Sequence, residues 1–248
     1  MNNDASNIMQ AVLPQELMSG IRHVILVGGS FDPVHLAHMK VAIELRSTLP
    51  EPDWRSAWLV FVPAAVSPFK VVPASGPAAN FRQPAPSQRV ELLRLAVTGI
   101  DRACVWTDEI DRAVKQDGPS YTIDTVRRAL CANPQLHIRF MIGADQAAGL
   151  HRWREAHQLI TLAQPMCVLR PPVSTRAELR QSLESIGAWS SSELDVICRC
   201  SVHTSLLNIS STAIRTALAS GIPAKNLSEL DPRVAARIDE LGLYRVAP

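Results

Sequence analysis

His35 and His38 stand three residues apart, just behind a double glycine and an Asp-Pro pair, in the stretch VGGSFDPVHLAHMKVA of residues 27–42. Imidazoles at that spacing share one face of a helix. If the helix begins near Pro33, both rings project beside its N-terminus, where free N–H groups and the macrodipole already favour an anion. A lone histidine in such a place is more often a cap or a core residue. Two on one face behind a glycine pair favour phosphate. Other anion loops do not match: the chain has no G-x-G-x-x-G at this strand, no Walker lysine pattern, no H-E-x-x-H and no paired C-x-x-C.

A second constellation lies far downstream. NISSTAIRTAL, residues 208–218, is a run of hydroxyl residues followed by apolar residues at helical spacing, with Ser210 or Ser211 a natural N-cap. Taken alone, these are ordinary capping residues. Arg215, however, falls three residues beyond Thr212, on the same side of the first turns, and can bring guanidinium donors to an anion at that helix end.

These groups need a scaffold. RHVILVGG gives a β-branched apolar run, Val24 to Val27, that stops at Gly28-Gly29 and predicts a buried strand followed by a turn. After Pro33, Leu36, Met39, Ile43 and Leu45 approximate helical spacing, which makes the segment the first βα step of a parallel sheet. IRFMIGADQ predicts a strand from Ile138 to Ile142 with Gly143 and Asp145 at its carboxyl end, where open α/β sheets bind ligands. Asp145 there suits a ribose or amide contact, or a helix cap. Tyr121 and Thr122 precede an amphipathic helix and Trp153 follows later; both aromatics suit either a ligand or the core. Arg154 receives no role. STRAELRQSLESIGA predicts an amphipathic helix, and DPRVAARIDELGLYRVAP one that starts at Asp-Pro and stops at Gly242.

At 248 residues and 47% hydrophobic content the chain can bury a substantial core. A net charge of +2 with scattered Lys and Arg argues against a general nucleic-acid surface. No run is long enough to cross a membrane, and residues 1–20 lack the features of a signal peptide, so a cytoplasmic protein is expected. The five cysteines form no disulfide framework and are expected reduced and mostly buried. Residues 1–20 are expected to be a loosely attached leader with a short helix before Gly20, and residues 21–248 a single domain. From Pro63 to Pro86 the composition shifts to Pro, Ala, Ser and Gly, which suggests a substrate loop or disorder, with Lys70 inside it.

GGSFDPVHLAH resembles the nucleotidylyltransferase superfamily, marked by a glycine-rich loop followed by H-x-G-H or T-x-G-H. Its long form is similar to the bacterial nicotinate-nucleotide adenylyltransferase family. Ala37 departs from that pattern by standing where the family usually has glycine; two readings stay open, a methyl group that narrows a phosphate's approach or a small side chain favoured at a helical position. Residues 209–215 are similar to the family's I-S-[ST]-T-x-I-R motif and Ser120-Tyr121-Thr122 to its S-Y-T segment. Of its P-P-H-[KR] segment only the basic residue is kept, in Ser67-Pro68-Phe69-Lys70.

The resemblance implies a doubly wound, mostly parallel, Rossmann-like α/β fold and transfer of AMP from ATP to nicotinate mononucleotide, with Mg²⁺ arriving on the ATP. It implies His35, His38 and Arg215 as catalytic residues. ATP would be held by these three together with Gly28, Gly29, Ser30, Phe31, Gly143, Asp145, Ser210, Ser211 and Thr212, so that two helix ends clasp the triphosphate. Lys70, Tyr121, Thr122 and Trp153 would hold the mononucleotide. The expected partners are these two nucleotides, with no nucleic acid and no membrane; a homo-oligomer stays open. Two rival readings are an adenylyltransferase acting on phosphopantetheine and a non-catalytic nucleotide-binding module. The S-Y-T segment and Trp153 speak against the first, and the two histidines with Arg215 against the second.

Overall fold

The computed structural model describes residues 13–17, 20–65, 83–115, 120–203 and 209–245. Strands β1 (His23–Gly29), β2 (Trp58–Pro63), β3 (Ala103–Val105), β4 (His137–Gly143), β5 (Gln164–Leu169) and β6 (Cys200–His203) make one sheet in the order β3-β2-β1-β4-β5-β6. Every pairing is parallel. The chain winds outward from β1 to β3, then returns to β4 on the other side of β1, so the strand order reverses between β1 and β4. That reversal opens the crevice at the carboxyl edge where such sheets take ligands.

Alternation along β1 divides the core. Ile25 and Val27 face one layer, packed with the helices Leu36–Ser47, Pro86–Val97, Ser211–Ala219 and Pro232–Leu241. Val24 and Leu26 face the other, covered by Thr122–Ala132, Ala156–Leu162, Arg176–Ile186 and Ser191–Arg199. A sheet buried on both faces explains why its strands are near-continuous apolar runs rather than alternating ones. Each fully buried Leu or Ile contributes about 1.5–3 kcal/mol to this arrangement.

Local capping signals set the helix ends. Thr175 caps Arg176–Ile186 with Glu178 completing the box, and Gly187 ends the helix at φ 70°. Asp231 caps Pro232–Leu241, which stops at Gly242 with φ 60°. The cysteines carry free thiols, four of them buried and Cys131 exposed.

Three expectations are corrected. β1 does not stop at Val27 but continues through Gly28 and Gly29, which stay in register with Val62 and Pro63 of β2, so the turn comes afterwards. Ile43 is exposed, and Ala37, Val41 and Ala42 join Met39 and Leu45 on the buried face of their helix. The leader is not loose throughout: Leu13, two residues before a 3-10 turn at Gln15–Leu17, and Leu17, which ends that turn, are 2% and 1% exposed within the core. Most of the Pro- and Ala-rich segment, with Lys70, lies outside the described residues.

Candidate active site

β1 delivers the chain to a tight turn in which Phe31 adopts φ 45°, a left-handed conformation uncommon for a residue with a side chain. The Phe31 ring is buried beneath the turn against Phe61 and His38, and a Cβ on Gly29 would lie 3.1 Å from it. Glycine at position 29 therefore follows from close packing. Phe31, expected among the ATP-binding residues, can offer a nucleotide only its backbone.

Four distant side chains hold this turn. Arg89 donates to the Ser30 carbonyl at 2.6 Å and Arg215 to the Asp32 carbonyl at 2.6 Å. Ser211 Oγ donates to the Pro33 carbonyl at 3.0 Å, and the Tyr244 hydroxyl donates to Asp32 Oδ1 at 2.7 Å. Arg89 and Tyr244 are buried. Burial, reinforced by the Asp32 carboxylate, pushes the Tyr244 hydroxyl well above its ordinary pKa and keeps it a donor. Nothing local to the turn announces Arg89 or Tyr244, which is why sequence reasoning missed both.

His35 is the N-cap of Leu36–Ser47, and His38 sits one turn in. Their rings stack with centroids 3.7 Å apart, and His38 Nδ1 accepts the His35 backbone N–H at 3.2 Å. The expected pairing is present as a stack at the helix entrance. Burial lowers the His35 pKa to about 4, so its ring is neutral at pH 7. In that state it can donate an N–H to a phosphate. Its Nδ1 is buried without a hydrogen-bond partner among the described residues. Ala37 is buried on the core side of its helix.

At the second helix end, Ser210 is the N-cap and accepts from the Ala213 N–H at 3.1 Å. This frees the Ser211 hydroxyl for its bond to Pro33. Thr212 Oγ1 accepts from Arg215 at 3.2 Å, so the two are neighbours as the spacing predicts. The amino ends of two helices thus meet at one turn, held together by side chains rather than by chain continuity.

Beside this turn lies a cleft of about 260 Å³, floored by β1 and β4 and walled by Tyr121, Thr122 and Trp153. Gly28, Gly29 and Ser30 line its edge nearest the turn. His35, His38, Ser211, Thr212 and Arg215 do not line it; they gather around the turn instead. Tyr121 is the N-cap of Thr122–Ala132, which places Thr122 at that helix's first position. Asp145 follows β4 and pairs with Arg170 at 2.8 Å, an exposed arginine at the end of β5. A Cβ on Gly143 would collide with the Asp145 carboxylate, so the small residue makes room for that ion pair. Glu109, Arg152 and Arg154 also line the cleft and were not singled out by sequence. Arg154 lies over the Tyr121 ring, 5.0 Å from its centroid.

A parallel sheet whose strand order reverses beside two convergent helix amino ends, with an aromatic-walled cleft adjoining, defines a nucleotide-binding protein of the doubly wound class. The cytidylyltransferase-like family model matches residues 26–217. A protein named "Probable nicotinate-nucleotide adenylyltransferase" from Stenotrophomonas maltophilia is 33% identical over 232 residues, covering 89% of this chain and 96% of the relative. A Pseudomonas putida protein of the same name is 33% identical over 234 residues, 91% of this chain and 96% of its own length. The chain therefore belongs to the cytidylyltransferase-like family and, within it, to the nicotinate-nucleotide adenylyltransferases. The Plasmodium falciparum nicotinic acid mononucleotide adenylyltransferase, solved with NaAD, has the same fold: TM-score 0.63 at 14% identity, over 90% of this chain and 97% of that one.

Proposed function

We propose that this chain is a cytoplasmic enzyme that transfers AMP from ATP to nicotinate mononucleotide, giving nicotinate adenine dinucleotide and pyrophosphate. One observation carries the reading. Arg215 and Ser211 bind the turn after β1, which sets two helix amino ends around one point beside an aromatic cleft. Relatives 33% identical over most of the chain are named for this activity, and a related fold was solved with NaAD.

The incoming 5′-phosphate is already an anionic oxygen nucleophile. It attacks the α-phosphorus of ATP, a P–O bond forms, and the bond to the β-phosphate oxygen breaks with its electrons leaving on pyrophosphate. No side chain need act as nucleophile, so catalysis consists of alignment and charge stabilisation. His35 would donate a neutral N–H, while His38 and the first helix end hold the transferring phosphate. Arg215, Ser211 and Thr212 would hold the departing end. Trp153 and Tyr121 would flank the pyridine ring, with Thr122 near its substituent and Asp145 near a ribose. Among the described residues no group of three His, Cys, Asp or Glu could hold a metal ion. Mg²⁺ fits as part of the Mg·ATP substrate, held on phosphate oxygens.

The test is pyrophosphate release from purified protein given Mg·ATP and a panel of acceptor phosphates. Release with nicotinate mononucleotide is expected. Release only with phosphopantetheine, or with no acceptor in the panel, would overturn the assignment.

A further inference from the structure

Glu109 lies on the helix Asp108–Lys115 and opens onto the cleft that holds Tyr121, Thr122 and Trp153. Its Oε1 accepts from Thr125 Oγ1 at 3.3 Å, its one side-chain hydrogen bond among the described residues. The cations around it are engaged elsewhere. Arg112, on its own helix, donates to Asp108 at 3.0 Å and to Thr125 Oγ1 at 3.0 Å, and lies 3.7 Å from Asp124. Arg128, from the helix Thr122–Ala132, donates to Asp108 at 2.6 Å. Across the cleft, Arg154 pairs with Asp124 and Glu155 at 3.8 Å each, and Arg152 completes the charged groups on that wall. Glu109 is thus a carboxyl beside the expected pyridine position with no cation bound to it among the described residues.

The geometry points to Glu109 as the residue that sets how strongly the cleft prefers the acid over the amide form of the pyridine mononucleotide, an inference that rests on the adenylyltransferase reading. A protonated carboxyl has one O–H to give, and a nicotinate carboxylate can only accept. An ionised Glu109 can only accept, so it repels a second carboxylate and suits the NH₂ of an amide. Burial, opposed by Arg112 and the Thr125 bond and aided by Asp108 and Asp124, pushes the Glu109 pKa up to about 7. The switch therefore falls within the working range of pH. Arg152 and Arg154 bring guanidinium donors to the same cleft and favour the acid. Glu109 changes the size of the preference, and its direction stays with the acid.

The test is the ratio of kcat/KM for nicotinate mononucleotide to that for nicotinamide mononucleotide between pH 6 and 8.5. Both substrates carry the same phosphate, so its ionisation cancels in the ratio, as does any effect on ATP. If the amide turns over too slowly, its constant as a competitor of the acid takes the place of its kcat/KM. For a single required proton the ratio falls about tenfold from pH 6 to pH 8. In Glu109→Gln the ratio is level across the range. A level ratio in the unaltered protein overturns the inference, whether or not the variant folds, and so does an unchanged fall in Glu109→Gln. A level ratio with full use of the acid sinks Glu109 alone. Absence of pyrophosphate from either mononucleotide at every pH sinks the adenylyltransferase reading beneath it.

Discussion

The guanidinium of Arg215 donates to the backbone carbonyl of Asp32 at 2.6 Å, across 183 residues of chain. The same arginine bonds Thr212 on its own helix, so one planar group ties both helix amino ends together. Lysine keeps the charge but has a single nitrogen that cannot serve both acceptors in that geometry. Arg215→Lys is expected to weaken ATP binding by about 10- to 100-fold, since a lost hydrogen bond to a charged group costs about 1.5–3 kcal/mol. Calorimetric titration with a non-hydrolysable ATP analogue checks this; unchanged affinity would make Arg215 a packing residue.

The stacked histidines separate into two roles. His38 lies one turn into its helix and is only partly buried, so His38→Ala is expected to lower kcat by ~10² with little change in unfolding. His35 is 7% exposed at the helix cap, and His35→Ala is expected to lower kcat and to cost about 1–3 kcal/mol of stability as well. Steady-state rates beside urea unfolding distinguish them. Full turnover in a folded His38→Ala protein would remove its catalytic assignment.

Burial of neutral His35 ties stability to pH. Its pKa is about 4 in the folded chain, against an ordinary value near 6.5, so between those values the unfolded chain binds the proton more readily. The contribution is present above about pH 6.5 and is lost as pH falls toward 4. Glu109, raised to about 7, acts in the opposite sense: it favours the folded state at low pH and loses that contribution as pH rises through about 7. Comparing the unaltered chain with His35→Asn isolates the histidine. Their stability difference should shift against the unaltered chain by on the order of 2 kcal/mol from pH 7 to pH 4.5. Parallel urea-unfolding curves over that range would mean His35 does not titrate as its burial dictates.

Trp153 walls the cleft and packs against Phe140, with ring centroids 6.3 Å apart. Removing its face should affect the pyridine and leave the triphosphate alone. Trp153→Ala is expected to raise KM for the mononucleotide ~10-fold or more while KM for ATP changes less than about twofold. The unaltered chain, near neutral pH, is expected to prefer the acid over the amide by at least ~10-fold in kcat/KM. A variant impaired only toward ATP would place the pyridine elsewhere.

The sequence by itself determined what depends on neighbours within about four residues. The strands β1 and β4, the helices Leu36–Ser47, Thr122–Ala132, Arg176–Ile186, Ser211–Ala219 and Pro232–Leu241, the caps at Ser210 and Asp231, the stop at Gly242 and the closeness of Thr212 to Arg215 follow from short-range periodicity and capping. Both nucleotide motifs were legible for the same reason, since each is one loop and one helix start. Even locally, pairing with β2 overrode the turn expected at Gly28-Gly29, because the strand's hydrogen bonds continue as long as a partner strand runs beside it. Only the tertiary structure decided which helices share a face of the sheet. That arrangement brings Arg89 and Tyr244 to the turn after β1, buries Leu13 and Leu17, and opens Glu109 onto the cleft. Burial and separation in space fix the neutral state of His35 and the raised pKa of Glu109, and neither quantity exists until distant segments pack and exclude water.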